Sequence, residues 1–187
     1  MGKGLFFWGI VFALAFAACA PSKPVFTGGA SETEAAVSGE PNLVNVSYDL
    51  ADSLISNLRE PLARDKIILV ASFVDVRYMQ RSSNFGRMMS EYVCSRLGQK
   101  GYKVIELKLR NAIYVKKKGG EFLLSRSVKE ISDAHGAQAV VVGTYAQAMT
   151  NVYISARVVQ ADGGEIISSC DIKLPLDVGL RSMLHSS

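Results

Sequence analysis

Two stretches of this chain are apolar with almost no alternation. They are Ile67-Ile68-Leu69-Val70-Ala71-Ser72-Phe73-Val74-Asp75-Val76 and Ala139-Val140-Val141-Val142-Gly143-Thr144-Tyr145. Strands of this kind are buried on both faces, as in sheets covered by helices. That requirement limits the fold to a layered α/β arrangement, and the rest of the chain supplies the layers. Leu43, Val46, Leu50, Leu54, Leu58 and Leu62 recur at helical spacing, with Pro61 near the exit. Arg77 to Asn84 is polar, and Ser82 or Ser83 can cap a helix carrying Phe85, Met88, Met89, Tyr92, Val93 and Leu97. That helix stops near Gly98 or Gly101. Lys103 to Leu109 reads as a strand, and Ile113 to Val115 as a short one turned by Lys116 to Gly120. Ser125 or Ser127 opens a helix that closes at His135-Gly136. Asn151 to Gln160 alternates, Ala161-Asp162-Gly163-Gly164 turns, and Glu165 to Leu174 returns before a short helix over 175–184. The expected fold is one α/β domain: a mixed sheet covered by helices, ending in an antiparallel meander.

The N-terminus carries an address. After Lys3, the 14 residues Leu5 to Ala18 bear no charge. A membrane-spanning helix needs about 20 apolar residues, so the run suits a secretory signal better than a retained span. It ends Phe16-Ala17-Ala18-Cys19, which resembles the lipobox of bacterial lipoproteins. In that reading Cys19 is acylated through its thiol and becomes the new N-terminus. Phe16 stands where Leu is the commoner choice. The plainer alternative is a signal peptide cut after Ala18, with Cys19 incidental. Ala20 and Pro21 follow the cysteine in place of an Asp, which points to the outer membrane with the domain facing the periplasm. Several acyl chains at about 0.8 kcal/mol per buried CH₂ give stable anchoring.

Three organisational units follow: a signal over 1–18, an acylated cysteine and tether over 19–41, and a domain over 42–187. The tether holds three prolines, three glycines and few large apolar groups, too little to offset the entropy of ordering. As a flexible coil it spans roughly 25 Å. A net charge of +4 over 187 residues is too mild to argue for nucleic acid. Three cysteines are too few for a disulfide scaffold or a four-cysteine zinc site. No phosphate-binding loop, dinucleotide fingerprint, HExxH or CxxC occurs. Neither His135 nor His185 has catalytic partners at a recognisable spacing. No enzyme activity, metal or cofactor is therefore expected.

Several blocks fall in a telling order: Ile67–Phe73, Phe85-Gly86-Arg87, Gly101–Leu107, Gly120-Glu121-Phe122-Leu123-Leu124-Ser125-Arg126, Val142-Gly143-Thr144-Tyr145 and Val152–Val159. Together they resemble the FlgO domain of outer-membrane lipoproteins associated with the bacterial flagellum. The resemblance covers about residues 50–180. It implies a fold similar to the α/β modules of CsgG, the N-terminal part of TolB and LpoB. It also implies a role in flagellar assembly or stability and in motility, through contact with basal-body or other envelope proteins. A different use of the same module remains open: an LpoB-like activator of a peptidoglycan synthase, or a CsgG-like secretion component. Fold analogy does not separate these, and oligomerisation is left open.

Candidate contact residues are few. Glu121, Ser125 and Arg126 sit where a loop enters a helix, either a partner- or anion-binding corner or simply a cap and a surface ion pair. Arg77, Arg81 and Arg87 surround a polar loop, and Tyr78 and Met79 within it are protein-contact candidates if exposed. Lys116-Lys117-Lys118 is either a phosphate-touching patch or a solvated tip. Cys94 and Cys170 read as two free thiols or as a disulfide.

Overall fold

The computed structural model describes residues 42–79, 81–107 and 122–186, with side chains of the last segment from 128 onward. Helix α1 (Leu43–Ser56) starts on Asn42, whose side chain accepts from the Asn45 amide. Its buried residues Ser47, Leu50, Ala51 and Leu54 follow the three–four spacing of one helix face. The helix stops at Ser56, short of Pro61. Leu58 and Leu62 continue its stripe as residues of the following connection, and they still pack on the core.

The first apolar run is two strands. β1 (Ile67–Ala71) and β2 (Val74–Asp75) are separated by Ser72-Phe73. The chain bends there because Phe73 turns inward and is fully buried. Its amide donates to the Gly86 carbonyl, not to the sheet. Helix α2 (Asn84–Gln99) is capped by the Ser83 hydroxyl and runs through Gly98. β3 spans Lys103–Leu107, the last described residue before the gap. The strand expected at 113–115 and the Lys116–Lys118 run lie outside the described residues.

Helix α3 (Phe122–His135) begins before Ser125 and Ser127, so neither serine opens it. The residues Phe122-Leu123-Leu124 ahead of them include no capping side chain, so the earlier start of the helix has no local mark in the sequence. Its end is as expected, with Gly136 at φ 61°, the left-handed region that glycine enters without a Cβ clash. β4 (Ala137–Gln147), β5 (Asn151–Gln160) and β6 (Ile166–Pro175) form the meander, and α4 (Val178–His185) closes the chain on an Asp177 cap.

The strand order is β3-β1-β4-β5-β6, with β2 paired to β4. β1 is parallel to β3 and β4, while β5 and β6 run antiparallel. The sheet is therefore mixed, as expected. The helical cover is uneven. On one face α1, α2 and α4 bury the main core, including Leu50, Leu54, Ile68, Val70, Phe73, Phe85, Met89, Val141 and Ile154. On the other, α3 covers only a smaller cluster of Leu69, Ala71, Val128, Val140, Val142 and Val159. β5 shows the consequence: Val152, Ile154, Ala156 and Val158 are buried, but Tyr153 and Arg157 are exposed. The expectation of a mixed sheet covered by helices is met, and among the described residues the cover is heavier on the α1, α2 and α4 face.

Candidate functional site

The open part of the sheet adjoins the C-terminal ends of β1, β2 and β4. Among the described residues, eight large apolar side chains are exposed. Six of them belong to segments that meet at this end: Val76, Tyr78 and Met79 after β2, Met149 in the β4–β5 turn, Tyr153 early in β5, and Val178 at the start of α4. Val76 and Tyr153 are each about half exposed, at 50% and 51%, and they border a cleft of about 420 Å³. Its floor is the sheet itself, through Thr144, Ser155 and Asp171, which lie in one row across β4, β5 and β6.

The loop that forms one rim is held by its own hydrogen bonds. The Tyr78 amide donates to the Asp75 carbonyl at 3.0 Å, and the Arg81 amide to the Tyr78 carbonyl at 2.8 Å. The Val76 amide reaches the Tyr145 carbonyl at 2.9 Å, tying the loop to β4. Arg77 grips the Asp75 carboxylate through Nε at 3.2 Å and Nη2 at 3.1 Å. Partial burial opposes ionisation of Asp75, but the hydrogen bonds from Arg77 outweigh it and hold the carboxyl below its usual range. The guanidiniums of Arg77 and Arg81 lie 5.7 and 5.6 Å from the Tyr78 ring centroid, within cation–π reach.

Beneath the loop, the base of α2 is locked to β4. The Tyr145 hydroxyl donates to Ser83 Oγ at 2.8 Å and accepts from the Ser83 amide at 3.2 Å. Its ring meets Phe85 edge-on at 5.3 Å. A Cβ at Gly86 would stand 2.1 Å from the Phe73 carbonyl oxygen, and one at Gly143 would stand 2.5 Å from the Phe73 ring. The blocks Phe85-Gly86-Arg87 and Val142-Gly143-Thr144-Tyr145 thus meet around Phe73 as one packing unit.

Arg87 is half-buried and serves this unit, donating to the Ser82 carbonyl at 2.9 Å and to Asn84 Oδ1. Position 125 lies inside α3, and Arg126 is one residue further along the same helix. Glu121 and Cys19 lie outside the described residues. Tyr78 and Met79 are exposed, as the contact reading requires. Sequence reasoning missed Val76, Tyr153 and the cleft between them. Val76 closes an apolar run and Tyr153 falls on the polar side of an alternating strand, so neither stands out until the missing cover is known.

Both Cys94 and Cys170 are free thiols and partly buried. Burial, reinforced by Glu106 and Glu91, pushes the Cys94 thiol up to about 12, so it stays protonated and unreactive at neutral pH. Among the described residues no cluster of His, Cys, Asp or Glu could hold a metal, and no helix is long and apolar enough to cross a membrane.

Comparison with known proteins bears on this arrangement. The C-terminal domain of LpoB from Salmonella enterica superposes with a TM-score of 0.52 at 12% identity, covering 72% of this chain and 99% of that one. The corresponding Escherichia coli domain gives 0.51 at 13% identity, covering 71% and 98%. An NMR structure of E. coli LpoB gives 0.51 at 11%, covering 89% and 85%. At these identities the likeness is one of fold. No curated protein matches the chain in sequence. The family model described as FlgO protein matches residues 48–179, which includes every strand and the Phe73 packing unit, and the chain therefore belongs to the FlgO family.

Proposed function

We propose that this protein is an outer-membrane lipoprotein, anchored through acylated Cys19, that supports flagellar assembly or stability, and hence motility, by protein contact without catalysis. Family membership over residues 48–179 carries the reading. The lipobox-like Phe16-Ala17-Ala18-Cys19 supports the anchor, and the absence of Asp after Cys19 supports the outer membrane with the domain in the periplasm. The exposed apolar end of the sheet supports action by contact, because surfaces rich in aromatic residues and Arg are typical of protein interfaces.

A second reading has an observation of its own. The likeness to LpoB spans nearly all of that domain, which supports reuse of the scaffold as an adaptor or regulator of other envelope machinery.

Deletion of the gene, with complementation by wild type and by Cys19→Ser, tests the proposal. The deletion strain should swim poorly and show defective basal structures. Wild type should restore both, whereas Cys19→Ser should leave the outer-membrane fraction and fail to restore them. Normal swimming and normal flagella in the deletion strain would contradict the flagellar role.

A further inference from the structure

We propose that two copies of this domain pair through the free edge of β6, antiparallel and centred on Ile172, into one continuous sheet. The inference goes beyond the flagellar reading and stands apart from it. β6 ends the strand order, with β5 on one side only. The carbonyls of Ile167 and Ser169 point to the other side. There they accept from the Arg59 amide at 3.0 Å and from Asn57 Nδ2 at 3.2 Å, both in the connection after α1. Backbone direction alternates along a strand, so Asp171 and Lys173 also turn their amides and carbonyls outward. Among the described residues nothing engages those groups. The next outward position is Pro175, which has no N–H to offer. The open edge thus runs from the cover at Ser169 to Pro175, and Ile172 is its midpoint.

Charge selects both the occupant and the register. Charged side chains on an edge ordinarily discourage pairing. Here the exposed Asp171 and Lys173 are of opposite sign, on one face and two residues apart. Among the described residues neither has an ion-pair partner. In an antiparallel pair about Ile172, Asp171 of each copy lies opposite Lys173 of the other, so the edge is complementary to itself. Moving the centre to Asp171 or to Lys173 would set Asp against Asp or Lys against Lys, and like charges directly opposite are destabilising.

The ends of the ladder fit as well. Ser169 would face Pro175 of the other copy. Its carbonyl already has a donor in Asn57, and the proline brings none. Each Asp171–Lys173 pair exchanges two backbone hydrogen bonds, so the seam holds four. On the core face Cys170 and Ile172 are only partly buried at the margin of the main cluster. Pairing sets Ile172 against its own copy and Cys170 against Leu174, which carries the core across the seam.

The test uses the full mature chain with Cys19→Ser in place of the lipidated residue. Four ladder bonds along a narrow seam make a weak dimer, so sedimentation velocity is run up to about 0.5 mM. The protein should pass from monomer to dimer as concentration rises. Asp171→Lys and Lys173→Asp should each weaken the dimer at least about tenfold, and their combination should restore it. Disulfide trapping reads the register directly. With Cys94→Ala and Cys170→Ala also present, Ile172→Cys should oxidise to a covalent dimer, because a central non-hydrogen-bonded pair brings its Cα atoms to about 4.5 Å. Lys173→Cys should not, because residue 173 faces residue 171. The melting temperature verifies that each variant is folded. The proposal is overturned by a monomer at every concentration, which would leave the edge to a strand of a different protein. It is equally overturned by single charge reversals that dimerise like the parent, by a combination that fails to restore the dimer, or by Lys173→Cys trapping as well as Ile172→Cys. A monomeric protein would leave the flagellar reading untouched, and a deletion strain that swims normally would leave the dimer untouched.

Discussion

One hydrogen atom at Gly143 decides whether Phe73 can be buried where it is. The Phe73 ring occupies the volume that a Cβ at Gly143 would need, at 2.5 Å, and the backbone of Gly86 closes on the Phe73 carbonyl from the other side. Neither neighbour is the far end of a flexible chain, so there is no cheap relaxation. Gly143→Ala should destabilise the domain by about 3 kcal/mol and lower Tm by about 10 °C, measured by thermal denaturation. Gly98, also in α2, makes a useful contrast because a Cβ there meets nothing within 4 Å. Gly98→Ala should stabilise by about 0.5–1 kcal/mol through helix propensity and a less flexible unfolded chain. An unchanged Tm for Gly143→Ala would mean that Phe73 is not packed as described.

Elements were legible in the sequence where burial sets a period, and illegible where a single side chain interrupts it. The caps at Ser83 and Gly136 and the Asp162-Gly163-Gly164 turn stand in the residues, because each has its own local chemistry. The break between β1 and β2 does not, since a continuous apolar run conceals that Phe73 leaves the sheet for the helix layer. Helix α1 ends early for a similar reason: Leu58 and Leu62 reach the same core from a non-helical connection.

Between elements, α1 and α2 are joined by Asp52, which receives Arg96 Nη2 at 2.6 Å and Lys100 Nζ at 3.2 Å. The hydrogen bond from Arg96 is the main reason that its carboxyl lies below the ordinary 3.8. A carboxyl with a lowered folded value contributes stability that is present above the unfolded value and lost as pH falls through the folded one. Asp52→Asn should therefore lower Tm by a few degrees at neutral pH, and the difference should vanish once the pH falls below the lowered folded value. A constant difference down to that pH would assign the loss to packing and not to the ion pair.

At the scale of the whole molecule, the mixed sheet and its closing meander follow from the order of periodic segments, and membership of the FlgO family follows from the order of short blocks. What could not be read is which part of the sheet stays exposed among the described residues. That depends on how far α3 extends across β4 and β5, a long-range property with no local signature. The exposed surface around Val76 and Tyr153 was hidden for this reason, whereas Tyr78 and Met79 stood out by composition of their loop. The central claim is that the domain works at the outer membrane by contacting flagellar proteins. Crosslinking in isolated outer membranes, with a C-terminal tag and identification of the captured partners, tests it most directly. The account predicts capture of hook, rod or ring components, reduced when Tyr153 or Arg81 is replaced. Capture of cell-wall synthases or secretion proteins, with no flagellar component, would contradict it.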